Sequence, residues 1–410
     1  MGHARNQALN QALNQALAGL LAASLCAQTR DPAAALAEAR DRLLAQRDRL
    51  TSISCTVTMD RSYFERVHPP AHTSCDQIAA DRRKNRARLK LFSTDRLRLK
   101  IFFNGQREVF AWPSPLAFES HSLDQVLLAG PLGTGGLGAF YLRLFEDPAA
   151  SFEFTGEKDG KLEYTFSEST DSSHHTVRAG EQWLPAAHSG SLWIDSTSLD
   201  LEKFSVDTST LPPETSMCEA ASTVDYHPMR IGGENVLLPV REQSHDVLVN
   251  AQETDSVIAY SSCTDEPPAN EPPQVEPALP EKLLVQLALD DPIDSATAAA
   301  GDAVAAAVTR DVLARDGMTI VLHKGTRVRG RILNLERWLQ DENPFFVVAI
   351  SFDAAEFNGV ASPFRARLAG ASVRLNDASS RWPEDSLVFA TRAGHYVIPR
   401  GFESRWRTVK

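Results

Sequence analysis

The residues whose chemistry the sequence constrains most are its five cysteines. Cys26 lies in an N-terminal apolar stretch, and the other four are widely spaced at Cys55, Cys75, Cys218 and Cys263. A zinc site would need cysteines two to four residues apart. An even number of separated cysteines in an exported chain is typical of disulfides. The sequence therefore predicts two disulfide bonds among these four residues and leaves the three ways of pairing them open.

A glycine-rich stretch, Gly133–Gly138, reads GTGGLG and has the spacing of a dinucleotide-binding turn. That turn works between a strand and a helix of a βαβ unit, where the backbone can approach a pyrophosphate. Here short helical patterns lie on both sides, at Ser122–Ala129 and Leu137–Phe145. The glycines therefore predict a loop between two helices, over Gly130–Gly138, and no cofactor.

Two groups of histidines could be interpreted as metal ligands: His68 and His72 with Cys75, and His174-His175 with His188. Adjacent histidines on a strand point to opposite faces, so both cannot reach one ion. No carboxylate or thiol stands at a supporting spacing. The G-x-S-x-G turn of serine hydrolases does not occur in the sequence. We therefore expect no metal, no catalytic residue and no enzyme activity, with a hydrolase as the disfavoured alternative.

Charge and the N-terminus indicate the compartment and exclude some partners. The net charge is −11, which argues against a nucleic-acid partner because phosphate binding requires a basic surface. Residues 1–27 have the parts of a secretory signal, with an apolar stretch over Ala16–Leu25 and the small residue Ala27 before the expected cleavage site. Lipidation of Cys26 is the weaker alternative. No later run approaches the ~20 apolar residues of a membrane span. We expect an exported protein of the periplasm or cell envelope.

A proline-rich stretch, Glu266–Glu281, divides the chain. It reads EPPANEPPQVEPALPE and contains six prolines. Proline fixes φ and lacks an N–H donor, so the stretch can continue neither a helix nor a sheet interior. Strand-like patterns lie on both sides of it. The sequence therefore predicts a first β domain over 31–263, a stiff acidic linker over 264–281 and a second β domain over 282–410.

Local patterns predict how the first domain begins. Asp31 followed by Pro32 is typical of a helix start. The segment His68–Arg88 shows no period, which predicts a loop. Arg96–Trp112 predicts a two-stranded hairpin whose turn is Asn104-Gly105, because these residues tolerate the positive φ of a type I′ turn.

The apolar residues of this hairpin are the candidate ligand contacts. Leu97, Leu99 and Ile101 alternate with basic residues and so share one face of the strand. Val109 lies on the returning strand. We expect these four residues to line an apolar concavity that is filled by the domain's own helices or by a ligand. About ten strands with few helices follow this pattern over the domain, which predicts a mainly β fold with a curved antiparallel sheet or incomplete barrel.

Three stretches of the first domain carry a family resemblance: DRLRLKIFFNGQREVFAWP, SLWIDSTSLDLEKFSV and TVDYHPMRIGGENVLLPV. They resemble the outer-membrane lipoprotein-sorting, LolA/LolB-like fold, as found in uncharacterised exported bacterial proteins. The resemblance covers roughly residues 31–263. It implies an antiparallel sheet with inserted helices over a concavity, in which carriers of this fold hold acyl chains. It assigns no individual functional residue.

The second domain carries a shorter resemblance. The stretch AGDAVAAAVTRDVLARDGMTIVLHKGTRVRGRI resembles the barrel domain of TrbI-like conjugation-channel proteins. It implies a small all-β, barrel-like domain and covers about thirty residues.

These observations favour an exported, non-enzymatic binding protein with a hydrophobic or lipid-like ligand in the first domain. The alternative from another class is a scaffold of the cell envelope that binds other proteins. A co-purifying apolar molecule would distinguish the first interpretation from the second.

Overall fold

The computed structural model describes residues 31–67, 74–84, 88–113, 135–171, 173, 176–179, 182–265, 279–339, 344–357, 360–371, 374–375, 386–390 and 394–409. The predicted signal segment, the predicted helix at 122–129, residues 266–278 of the predicted linker, and His68, His72, His174 and His175 lie outside these residues. None of the described helices is long and apolar enough to cross a membrane.

The described chain is mainly β, as the sequence predicts. Its helices are α1 Pro32–Ala45, α2 Arg47–Leu50, α3 Cys75–Arg83 and α4 Ala139–Glu146, with a 3-10 turn at Pro213–Thr215. Its strands are β1 Ser54–Arg66, β2 Leu89–Phe103, β3 Glu108–Ala111, β4 Ser151–Lys158, β5 Lys161–Glu168, β6 Thr176–Ala179, β7 Gln182–Pro185, β8 Ala187–Asp195, β9 Leu201–Thr210, β10 Met217–Ile231, β11 Glu234–Leu248, β12 Glu253–Thr264, β13 Leu284–Leu289, β14 Ile293–Asp294, β15 Ala303–Val308, β16 Val312–Leu313, β17 Ile320–Leu322, β18 Arg327–Trp338, β19 Phe345–Phe357, β20 Val360–Pro363, β21 Ala366–Ala371, β22 Arg374–Leu375, β23 Ser386–Ala390, β24 Val397–Ile398 and β25 Glu403–Thr408.

Residues 31–265 are here called the N-terminal unit. Apart from the separate pair β6 and β7, their strands form one antiparallel sheet. Hydrogen-bonded pairing gives the strand order β3-β2-β1-β12-β11-β10-β9-β8-β5-β4. One face of this sheet shares a buried apolar cluster with α1, α2 and α4. We call it the inner face and the opposite one the outer face.

Helix α1 forms where the sequence predicts a helix. The Asp31 side chain accepts a hydrogen bond from the Ala33 amide, and Pro32 occupies the first helical position. The buried residues are Ala35, Ala39 and Leu43, spaced four apart. This stripe therefore packs on the inner face, and its small residues allow close approach to the sheet.

The predicted hairpin exists with a different turn. Strands β2 and β3 pair antiparallel, and Phe103 lies opposite Glu108. The loop therefore contains four residues, and the prediction of a two-residue Asn104-Gly105 turn was wrong. The Asn104 side chain accepts hydrogen bonds from the amides of Gln106 and Arg107, which stabilises the longer loop.

The segment predicted as a loop contains α3. The Ser74 side chain caps this helix at the Gln77 amide. Ile78 is its one buried apolar residue and packs with Val247 and Ala251 on the outer face. A helix that buries a single apolar residue leaves no apolar period in the sequence, which is why the pattern did not reveal it.

The four cysteines form two disulfides, which confirms the predicted bonding. Cys55 pairs with Cys263 and joins β1 to β12, while Cys75 pairs with Cys218 and joins α3 to β10. Both bonds lie within the N-terminal unit. The pairing follows from the sheet order, which places β1 beside β12.

Residues 279–409, here called the C-terminal unit, enclose a second buried apolar cluster. Its strand pairs run from β13 through β15, β18 and β19 to β20, and from β21 through β25 back to β13. The unit is therefore all-β, as the sequence predicts. Leu279 packs against this cluster, and Pro280 accepts a hydrogen bond from the Thr408 hydroxyl. The last residues assigned to the linker thus contact the C-terminal unit.

The two units share backbone hydrogen bonding along one edge of β2. Glu336 to Trp338 of β18 pair with Ser93 to Asp95. Next to this pairing, the Arg98 amide donates to the Ala300 carbonyl at 2.7 Å, and the Ala300 amide donates to the Arg96 carbonyl at 2.8 Å. The predicted division into two independently folding domains remains a prediction.

Candidate functional site

The inner face of the N-terminal unit contains most of the residues predicted to face a ligand. Leu97, Leu99 and Ile101 are almost fully buried there, in the cluster formed with α1, α2 and α4. In this structure the helices cover them, so their predicted contact with a ligand remains a prediction.

Val109 does not share that face. Residues directly opposite each other on antiparallel strands point to the same face. Val109 pairs with Phe102, whose side chain points to the outer face, whereas Glu108 pairs with Phe103 on the inner face. The structure thus corrects the prediction for Val109 and places a carboxylate, Glu108, among the inward-facing residues. In the sequence, Glu108 appears only as a polar residue in a hairpin strand. The register of β2 and β3 is needed to show that its side chain points inward.

Glu108 binds the turn that precedes α4. Its carboxylate accepts a hydrogen bond from the Leu137 amide at 2.6 Å and also faces the amides of Gly138 and Ala139. These N–H groups lie at the start of a helix, where an acidic side chain is stabilising. The predicted helix over Leu137–Phe145 is therefore present as α4, and Glu108 connects it to the sheet.

Glu242 approaches the same turn from β11. It accepts hydrogen bonds from the Tyr260 hydroxyl at 2.9 Å and from the Ser222 hydroxyl at 3.2 Å. The Tyr226 hydroxyl donates to the Gly136 carbonyl at 2.7 Å. A Cβ atom at Gly136 would stand 3.1 Å from both the Glu242 carboxylate and the Tyr260 hydroxyl. The turn is therefore held against the sheet at a position that favours glycine.

These contacts define a carboxylate cluster, whose members are Glu108, Glu242, Tyr141, Tyr226 and Tyr260. Burial, together with the nearby Glu242, raises the pKa of Glu108 to about 8 against the lowering effect of the amides of the turn. The Tyr141 hydroxyl is buried without a hydrogen-bond partner, and its pKa is raised by burial and by Glu108. The cluster can hold a proton near neutral pH.

A second polar feature crosses the inner face from strand to strand. Cross-strand pairing aligns Ser222, Ser244, Ser256, Arg61, Asp95 and Glu336 in one row over β10, β11, β12, β1, β2 and β18. We call this set the polar row. All of its side chains are buried, and it runs from the N-terminal unit into the C-terminal unit.

The charged end of the polar row is paired internally. Arg61 donates to Asp95 through Nε at 2.8 Å and through Nη2 at 2.6 Å, the bidentate geometry that binds carboxylates best. The Tyr63 hydroxyl also donates to Asp95. Glu336, opposite Asp95, accepts a hydrogen bond from the Trp338 indole at 2.7 Å. This end is therefore a stable connection between the units.

The hydroxyl end of the polar row differs, because two of its atoms, Ser244 Oγ and Ser256 Oγ, have no hydrogen-bond partner and lie directly opposite each other. Beside them, two residues along β11, Oδ2 of Asp246 also has no partner. Burial is the main cause that raises the pKa of Asp246 to about 7. Sequence reasoning missed these residues because the segment Glu242–Asp246 is polar at every position, so alternation does not reveal its inner face.

The remaining predicted sites are placed as follows. Gly135–Gly138 forms the turn before α4, and no βαβ unit surrounds it in the described part of the chain. His188 is buried with its Nε2 atom 3.4 Å from Glu168. Among the described residues, no group of three or more histidine, cysteine, aspartate or glutamate side chains could hold a metal ion.

Comparisons with known proteins give weak neighbours. No protein-family model and no curated protein matches the chain. One solved structure with similarity is ComB10 of the Com type IV secretion system of Helicobacter pylori, at 14% identity over 32% of this chain and 86% of that chain, with a TM-score of 0.19. Another is a DUF1329 family protein from Desulfovibrio piger, at 12% identity over 55% of this chain and 92% of that chain, with a TM-score of 0.25. Neither similarity assigns a ligand or an activity to this chain.

Proposed function

We propose that this chain is an exported, non-enzymatic binding protein whose inner face holds an amphipathic, lipid-like ligand. The observation that carries the proposal is the group of three buried polar atoms without a partner, Ser244 Oγ, Ser256 Oγ and Asp246 Oδ2. A buried polar group without a hydrogen bond costs about 1–3 kcal/mol. A ligand that hydrogen-bonds to these atoms would recover that free energy.

The residues beside these atoms suggest the rest of the ligand. The neighbouring cross-strand row contains Val224, Ile258, Met59 and Leu97, all buried and apolar, together with Glu242. A polar group at the hydroxyl end of the polar row would therefore continue into an apolar body. Such a molecule is amphipathic, as a fatty acid or a lipid is.

Access to the inner face would require α4 to move, since α4 is part of the cluster that covers it. The turn before α4 has two glycines at positive φ, Gly135 at 93° and Gly138 at 152°. Glycine backbone resists such rotation least. The hydrogen bonds from the turn to Glu108 and from Tyr226 to the turn would hold the closed position.

Export is supported by the disulfides. Disulfides form and persist outside the reducing cytosol, and the two here join segments that are far apart in sequence. They agree with the signal-like pattern of residues 1–27. The periplasm or cell envelope is therefore the proposed location.

Binding is favoured over hydrolysis by the position of the serine that contacts a carboxylate. Ser222 donates to Glu242, but it lies in the middle of β10, between β9 and β11. Its backbone neighbours belong to the hydrogen-bond ladder, whereas an oxyanion requires N–H groups aimed at the reacting atom. A binding role needs no such groups.

The experiment is a titration of the full mature chain with an environment-sensitive fluorescent fatty acid, alongside native mass spectrometry of the isolated protein. We expect saturable binding and a co-purifying amphipathic molecule. The double variant Ser244→Ala/Ser256→Ala should bind at least about tenfold more weakly and yet melt at a higher temperature, because two unpaired hydroxyls are removed.

A matched control is Ser205→Ala/Thr223→Ala, which removes two hydroxyls from the outer face of neighbouring strands. It should leave fatty-acid binding unchanged. No saturable binding by the wild-type chain, or a lower melting temperature with unchanged binding in the inner-face variant, would contradict the proposal. The scaffold interpretation would then be preferred.

A further inference from the structure

The outward side of the C-terminal unit carries two sets of arginines. The first set lies on β18, and each of its arginines forms an ion pair with a carboxylate. These pairs are Arg327–Asp290, Arg329–Glu356 and Arg331–Asp353. The charge of the first set is therefore neutralised within the chain. The second set lies on β25, on β21 and just before β21, and all of its members are exposed: Arg365, Arg367, Arg405 and Arg407.

Most of the second set has no carboxylate partner. Arg365, Arg405 and Arg407 form no ion pair and no side-chain hydrogen bond with any residue that the structure describes. The outward carboxylate on β25, that of Glu403, instead accepts a hydrogen bond from Gln286 at 2.6 Å. Guanidinium groups that meet no carboxylate of their own chain keep their donors for an anion from outside.

Strand register brings these cations together. Strands β21 and β25 pair antiparallel, and Arg367 lies directly opposite Arg407, an arrangement of like charges that is destabilising. The Arg365 carbonyl accepts a hydrogen bond from the Val409 amide at 2.9 Å, and the Lys282 amide donates to the same end of β25 at 2.8 Å. We call this set the cationic face, and its members are Lys282, Arg365, Arg367, Arg405 and Arg407.

Apolar side chains are exposed within the cationic face. Leu284 of β13 lies opposite Arg407 on the other side of β25 and is 41% exposed. Val409 follows Arg407 by two residues, so it points the same way, and it is 36% exposed. Both side chains therefore project among the cations. Arginine or lysine combined with exposed aliphatic side chains is the pattern of a protein surface that lies on a membrane, where phosphate stands above hydrocarbon.

We infer that the cationic face docks on a bilayer that contains anionic phospholipid, with its guanidinium groups bound to headgroup phosphates and with Leu284 and Val409 placed in the layer beneath them. Arginine binds phosphate oxygens through two parallel N–H donors. Its long side chain lets the charged end remain at the headgroups while neighbouring apolar groups reach deeper. An acidic polypeptide would meet the cations but need not cover the two apolar side chains, so the bilayer is favoured. The surface is independent of the ligand proposed for the inner face.

The charge of the whole chain makes this inference specific to one surface. The net charge is −11, so an anionic bilayer repels the molecule as a whole. Attraction must then come from a local group of cations that lies within the screening length of the bilayer, about 10 Å at 0.1 M ionic strength. The arginines of β18 do not provide it, because each is paired with a carboxylate.

The test is flotation of the full mature chain with vesicles of two compositions. One is phosphatidylcholine alone, and the other is phosphatidylcholine mixed with phosphatidylglycerol, which adds anionic headgroups. At low ionic strength we expect saturable binding to the mixed vesicles and little to phosphatidylcholine alone. Salt at about 0.5 M should release the protein, because it screens exposed charges.

Arg405→Gln/Arg407→Gln should weaken binding to the mixed vesicles by at least about tenfold, since each cation at an anionic bilayer contributes about fivefold. The matched control is Arg327→Gln/Arg329→Gln, which changes the net charge equally but removes arginines that are already paired. It should bind as the wild type does. Both variants change exposed side chains and should keep the wild-type circular dichroism spectrum.

Leu284→Ser tests the apolar part of the contact and should also weaken vesicle binding. Its control is Val397→Ser, which removes an equally exposed apolar side chain from β24 and should have no effect. The inference is overturned if the mixed vesicles are not bound, if phosphatidylcholine alone is bound equally well, or if the variants of β18 and β25 lose binding equally. It is also overturned if a labelled (Glu-Ser)3 peptide binds more tightly than the mixed vesicles, since the partner would then be an acidic polypeptide.

Discussion

The two faces of strands β8 to β12 contain similar polar residues and put them to different uses. On the inner face, Ser244, Ser256 and Asp246 are buried and have atoms without partners. On the outer face, Gln243, His245 and Asp255 line an open groove and reach solvent. Desolvation makes the difference, because an unpaired polar atom costs little in water and about 1–3 kcal/mol when buried. The inner face therefore holds the larger unsatisfied potential for a ligand.

The largest expected effect comes from placing a charge on each face in turn. Leu99→Asp puts an unpaired carboxylate in the inner cluster, where Leu99 is fully buried. We expect a loss of several kcal/mol in the free energy of unfolding. Val109→Asp, on the neighbouring strand but on the outer face, should cost much less than that. Chemical denaturation monitored by tryptophan fluorescence measures both, and equal losses would contradict the assignment of the two faces.

The second-largest expected effect comes from removing the disulfides. One bond lies on the inner face of the sheet and the other on the outer face. Cys55 belongs to the inner cluster and joins β1 to β12, while the Cys75–Cys218 bond holds α3 on the outer face. Replacing Cys55 and Cys263 by serine should destabilise the N-terminal unit by about 2–5 kcal/mol. The corresponding change at Cys75 and Cys218 should act mainly on α3, which this bond anchors to β10.

Hydrogen exchange followed by mass spectrometry distinguishes these outcomes by region. The C-terminal unit contains no cysteine, so its protection serves as an internal control in both variants. Faster exchange throughout the C-terminal unit on loss of Cys55–Cys263 would show that the two units unfold together.

A smaller effect is the pH dependence of stability. The pKa of Asp246 is raised by burial to about 7, so the folded state binds a proton that the unfolded state releases near pH 4. The stabilisation from this bound proton is fully present below about pH 4, and it is lost as the pH rises towards 7. We expect the free energy of unfolding to fall between pH 5 and pH 7.5 by at most about 1.4 kcal/mol per pH unit from this group, and the melting temperature to fall with it.

Asp246→Asn should flatten this dependence, because it removes the group whose pKa burial raises. Glu108→Gln should also flatten it, since burial raises the pKa of Glu108 to about 8 and the sign is the same. A wild-type protein that becomes more stable from pH 5 to pH 7.5 would contradict these assignments.

Much of the fold could be predicted from the sequence, because it depends on local patterns. The start of α1 follows from Asp31 and Pro32, and the strands of the N-terminal unit follow from alternation. The number of cysteines indicated disulfides, whereas their pairing requires the sheet order. Cys55 and Cys263 are separated by 208 residues and meet because β1 and β12 are neighbours.

The candidate sites were harder to predict for the same reason. The polar row takes one residue from each of six strands, and no segment of the sequence shows it. The segment Glu242–Asp246 is polar on both faces, so it gave no indication of which side chains are buried. Helix α3 was missed because it buries a single apolar residue. In each case the information lies in strand register, which local patterns do not specify.

The smallest expected effect is that of cutting the chain between the units. Protease cleavage within 266–278 should give fragments of about 25 and 15 kDa, as typical domain sizes suggest. Because β18 pairs with β2 and Ala300 bonds to the same edge, the two fragments should elute together in size-exclusion chromatography. Separate elution would show that each unit folds and persists independently of the other, and resistance to cleavage would contradict the predicted linker.

The pairing along β2 has a consequence for self-association. The edge of β2 that faces away from β1 is occupied by β3 at Lys100–Phe103, by Ala300 near Leu97 and by β18 at Ser93–Asp95. An unpaired strand edge is a template onto which another copy of a chain can add a strand. A fragment that ends before residue 279 would expose the middle of this edge. We therefore expect the C-terminal unit to protect the N-terminal unit from aggregation, so that the isolated fragment forms oligomers at concentrations where the whole chain does not.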